Sequence, residues 1–208
     1  MTTLTDLANA ALAYLGDSPV SAITDEDSKP ATLCNQFAQA SIDEVLRLHR
    51  WNRATKRATL VADASAPDHG WDLSYRLPVG CLRILDINGE SYEDTLEYFT
   101  LEADRLLTNE FDVTIQYIGR VEIGLLDPLC QDAIALRLAA KIAVPLLGSQ
   151  EMRAVMTALA QKALHEARHI DAIECGTGES PKWNRVMNRS RLLRAHGFVR
   201  DPLRIEDY

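Results

Sequence analysis

The sharpest chemical pattern in this chain is His165-Glu166-Ala167-Arg168-His169. Two histidines four apart stand one helical turn from each other, as two ligands of a zinc ion must. Glu166 would then act as the general base of a metal-dependent hydrolase. A third ligand is needed. The longer form of this motif continues with Gly and His where this chain has Ala172 and Cys175, so Glu174 or Cys175 would have to serve at an unusual spacing. The neighbours Gln161, Lys162 and Arg168 place both histidines on a polar helix face, which predicts a solvated or subunit-facing pair and no metal.

The other candidate sets are weaker. Gly176 and Gly178 lack the lysine and the hydroxyl of a phosphate loop, and no strand precedes them, so they read as a linker. Asp25, Glu26 and Asp27 could gather round a divalent ion, but an exposed acidic loop is the simpler meaning. No local signature suggests a Ser/His/Asp or Cys/His set. The residues therefore predict no catalytic group and no cofactor. What remains is basic. Residues 181–208 hold Lys182, Arg185, Arg189, Arg191, Arg194, Arg200 and Arg204 against Asp201, Glu206 and Asp207, a net +4, while the other residues sum to −12. Trp183, Val186, Met187, Leu192, Leu193, Phe198 and Leu203 are spaced among these charges, too few for a core. Lys182, Trp183, Arg185, Arg189, Arg191, Leu192, Leu193, Arg194 and Phe198 are thus the expected partner interface.

Four helices must position these groups. Leu129 to Leu147 is apolar almost all round, with only Arg137 and Lys141 as a polar stripe, and must be buried on most sides. Gly148 stops it and Ser149 caps the next helix. There Met152, Val155, Met156, Leu159, Ala163, Ala167, Ile170 and Ile173 recur as one stripe. At 1.5 Å per residue the two helices would run about 30 and 37 Å. The first helix is marked by Leu4, Leu7, Ala8, Ala11, Leu12 and Leu15, stopped by Gly16. The second starts at Ser28 and Pro30, turns Cys34, Phe37, Ala38, Ser41, Ile42, Val45 and Leu46 inward, and is anchored at its end by Trp51.

Between about Arg53 and Glu122 the helical period fades. Thr55 to Val61 reads as a strand, and Ala64 to Gly70 as a polar loop. Pro78 keeps Tyr75 to Leu77 extended. Leu82 to Ile87 and Tyr92 to Thr95 flank Asn88-Gly89, a hairpin signal. Phe111, Val113, Ile115 and Tyr117 alternate with polar residues as a half-buried strand. The expected fold is α+β and mainly helical: an antiparallel four-helix bundle with a β-rich domain inserted between helices two and three, plus an extended C-terminal tail. The divisions are 1–52 for helices one and two, 53–122 for the β-rich insertion, 123–175 for helices three and four, and 176–208 for linker and tail.

Composition narrows the class. An apolar fraction of 47% and a charged fraction of 25% are ordinary for a folded protein. The net charge of −8 disfavours general nucleic-acid binding by the body. No stretch has the roughly 18 apolar residues of a membrane span, and no basic segment precedes an apolar run at the N-terminus. Cys34, Cys81, Cys130 and Cys175 lack metal-ligand spacing and read as reduced thiols.

In this order the parts resemble the head-to-tail adaptor family of short-tailed phages, the tail tubular protein A-like proteins, over about residues 4–175. The resemblance lies in Leu12 to Val20, a helix followed by a turn like Gly-Glu-Pro-Pro; in Arg50-Trp51-Asn52; in Tyr75 to Arg83; and in Val113 to Ile118, Asp127-Pro128-Leu129 and Leu138 to Ala143. It implies a non-enzymatic virion protein, assembled in the host cytoplasm. Twelve subunits would form a ring between the portal protein and a tail nozzle or tail tube protein, away from any membrane. DNA would pass through it without specific binding. The surplus apolar character of helix three would suit a subunit interface. Three alternatives stand beside it: a head-completion connector of a long-tailed phage or gene-transfer particle, a zinc hydrolase through His165, Glu166 and His169, and a nucleic-acid-binding module working through the tail.

Overall fold

Each helix begins where a short polar side chain satisfies backbone N–H groups that have no helical partner. The computed structural model describes residues 3–25 and 27–174. Thr3 opens α1 (Leu4–Tyr14) with a reciprocal cap: its hydroxyl accepts from Asp6 N–H at 3.1 Å, and the Asp6 carboxylate accepts from Thr3 N–H at 2.8 Å. Ser28 caps α2 (Lys29–Arg47), with Pro30 in the first turn. Asp127 caps α3 (Pro128–Leu147), accepting from Leu129 N–H at 2.9 Å. Gly148, at φ 68°, ends α3 in the left-handed region that favours glycine. Ser149 Oγ then accepts from Met152 N–H at 3.1 Å as α4 (Gln150–Glu174) begins.

Seven strands lie between α2 and α3: β1 (Thr55–Thr59), β2 (Leu73–Arg76), β3 (Cys81–Ile87), β4 (Glu90–Ser91), β5 (Phe99–Glu102), β6 (Arg105–Thr108) and β7 (Thr114–Gly119). They form two antiparallel sheets, ordered β1-β7-β3-β4 and β2-β6-β5. Asn88 and Gly89, both at positive φ, make the β3–β4 turn as expected. Tyr92–Thr95 is a 3-10 helix rather than a returning strand. β7 starts only at Thr114; Asp112, at φ 59°, breaks the extended run, and Phe111 is left exposed.

Two apolar cores result. The larger joins α1 to α4 with Trp51, Leu85 and Ile118. The smaller holds Leu60, Tyr75, Ile87, Phe99, Leu106, Val113 and Ile115 of the β region. Helix α3 packs on α1, α2 and α4, and ten of its side chains are buried, each large one worth about 1.5–3 kcal/mol relative to exposure. The apolar surplus of α3 is thus consumed within the chain, which corrects its expected role as a subunit interface. No helix among the described residues is long and apolar enough to cross a membrane.

Candidate functional site

His165, Glu166 and His169 are exposed on α4, on the polar face that the sequence indicates. Among the described residues, no group of three or more His, Cys, Asp or Glu side chains converges to hold a metal ion. Asp27 N–H donates to Asp25 Oδ1 at 3.2 Å, a local turn within the acidic loop; Glu26 and Cys175 lie outside the described residues. Arg168 departs from its expected place on that polar face. It is half-buried, its Nη2 donates to the Leu48 carbonyl at 2.8 Å, and its Nε is enclosed without a partner.

Arg168 belongs to a polar junction where the last turns of α4 meet the end of α2. Asp171, 7% exposed, is its centre. Its carboxylate accepts from His49 Nε2 at 3.2 Å and from Asn52 N–H at 3.2 Å, while its carbonyl accepts from Asn52 Nδ2 at 2.8 Å. The His49 ring meets Trp51 edge-on at 4.8 Å, and Trp51 Nε1 donates to the Val45 carbonyl at 3.0 Å. Burial, assisted by the Arg168 charge, lowers the His49 pKa, against the opposing pull of Asp171. This junction was not legible in the sequence because its members lie about 120 residues apart.

The helix-three polar stripe has a definite use. Arg137 and Lys141 both reach Glu44 of α2, Lys141 Nζ at 2.9 Å. The Arg137 hydrogen bond, then Lys141, holds the Glu44 carboxyl below the usual range. Further ties bind α2 to the β region: Arg120 grips Asp43 through two nitrogens, and Arg50 donates to Asp86 at 2.9 Å and to Gln116 at 2.7 Å. Tyr14 donates to Asp132, which raises its pKa to about 12. Burial raises Cys34 to about 11 and Cys130 to about 12, so both thiols stay protonated and unreactive.

Several large apolar side chains are exposed as well. Met152, Met156, Ala160, Ala163, Ala167 and Asp171 form the inner face of α4. Val155 (52% exposed) and Leu159 (41%) lie on an outer side of the first half of α4, and Leu147 is exposed just before it; Ile173, also exposed, shares that side with Lys162 and Glu166. The expected stripe is therefore buried only in part. Leu96, Tyr98, Leu101 and Phe111 are exposed on and around the β5–β6 hairpin. The expected interface residues Lys182 to Phe198 lie outside the described residues.

No family model matches the chain, and a comparison with curated proteins gives no match.

Proposed function

We propose that this chain is a structural connector of a phage particle: a head-to-tail adaptor whose copies form a ring between portal and tail, around the path of the DNA. The finer architecture that accompanies this reading is a four-helix bundle of α1–α4 interrupted by a β-rich domain. The carrying observation is the pair of exposed apolar surfaces on different elements, the outer face of α4 and the β5–β6 hairpin. Two unlike surfaces suit a heterologous contact, which closes into a ring when the rotation allows. The ordered likeness to the adaptor family, from Leu12 to Ala143, supports the same reading. The acidic balance of the body also suits a channel through which DNA slides without adhering.

The test is electron microscopy of the purified chain, alone and mixed with its portal. A ring seated on the portal is the expected image. Protein that stays monomeric and fails to bind the portal at any salt concentration would overturn the reading.

A further inference from the structure

We propose that the exposed apolar row beside β5 is a dock for the basic segment 181–208 of a second copy of this chain. This rests on the connector reading and gives it a contact between neighbours. β5 is an edge strand of its sheet, so one side of its backbone can pair with another extended segment. Leu101 is exposed on β5 itself, Leu96 (56% exposed) and Tyr98 (55%) just before it, and Phe111 (77%) in the segment that follows β6.

Charge selects the occupant. Residues 90–112 hold eight acids against a single base, Arg105. That base is already held by Asp63 at 3.0 Å and Asp104 at 3.1 Å. Glu93, Asp94, Glu97 and Glu102 are exposed and form no ion pair among the described residues. A fitting partner brings positive charge interleaved with large apolar anchors. Residues 181–208 have that composition, with seven bases, three acids, Trp183, Leu192, Leu193 and Phe198.

The ring of the connector reading sets a second copy beside each subunit, and residues 175–181, up to about 25 Å long, give the segment reach to cross to it. The isotope mixture below separates this neighbour contact from occupation of the chain's own dock.

The experiment is carbodiimide cross-linking of the full chain, using an equal mixture of nitrogen-isotope-labelled and unlabelled protein. Lys182 is the only lysine in 181–208, so its amide links report where the segment lies. The expected products join Lys182 to Glu93, Asp94, Glu97 or Glu102, with mixed-isotope pairs as abundant as like pairs. Their yield should fall several-fold at about 0.5 M salt, where the screening length is a few ångströms. Arg189→Glu with Arg194→Glu should lower it similarly. Links spread over other carboxylates, no links, or links only within one isotope would overturn the proposal. A portal-bound ring without these links would sink this contact alone. The links without a portal-bound ring would sustain the contact and remove the connector reading.

Discussion

Asp171 shows what one buried acid does in this molecule. Its carboxylate satisfies His49 and the Asn52 N–H at once. Asp171→Ala strands both donors and should cost about 1–3 kcal/mol in urea denaturation. His49 adds a pH dependence. Its folded pKa lies below the ordinary 6.5, chiefly through burial, so folding disfavours the charged ring. As pH falls through that ordinary value the unfolded chain takes up the proton first, so native stability falls with it and is kept at higher pH. His49→Gln should flatten the rise in urea midpoint between about pH 5 and pH 7. The exposed pair behaves otherwise. Changing His165 and His169 together to Ala should move stability by no more than about 0.5 kcal/mol and leave ring assembly intact. Stoichiometric zinc in protein purified without chelator, with function lost on its removal, would contradict that.

Helix α3 is the element on which the others close. Leu138 and Ile142 are fully buried against three partner helices. Leu138→Asp would bury an unpaired charge at a cost of several kcal/mol, and circular dichroism should show an unfolded or aggregated product. On α4 the expectation reverses. Val155→Asp with Leu159→Asp should keep the melting temperature within a few degrees while abolishing ring formation in sedimentation, because both side chains are already wet. The helices were legible because their stops and starts carry local chemistry: Gly16, Ser28 and Pro30, Gly148 and Ser149. The β3–β4 turn was legible for the same reason. The β5–β6 hairpin was not, since Ala103, at φ 52°, takes a turn position where Gly or Asn would have announced it. The exposed part of the α4 apolar pattern was read into one stripe, because Val155 and Leu159 stand three or four residues from Met152, Met156 and Ala163 and share their period. Of the candidate site, the exposed histidines were visible, while the Asp171 junction depended on contacts that no local spacing encodes.

At the scale of the whole molecule, charges of opposite sign are separated. Acids crowd residues 90–112, bases crowd 181–208, and the outer face of α4 carries little charge between Ala154 and Ala160. Removing bases from the tail singly should slow assembly and flatten its salt response, whereas Trp183→Ala should speed disassembly; stopped-flow light scattering separates the two. The chain order of the larger core has a further effect. α1 and α2 must wait for α3, and about 80 residues separate Arg47 from Pro128. At a synthesis rate of about 5–20 residues per second, Leu7, Leu12, Ile42 and Leu46 would stand uncovered outside the ribosome for roughly 4–16 s before α3 is made. Nascent chains halted before residue 128 are therefore the natural clients of a holding chaperone, and release from it should coincide with the emergence of α3.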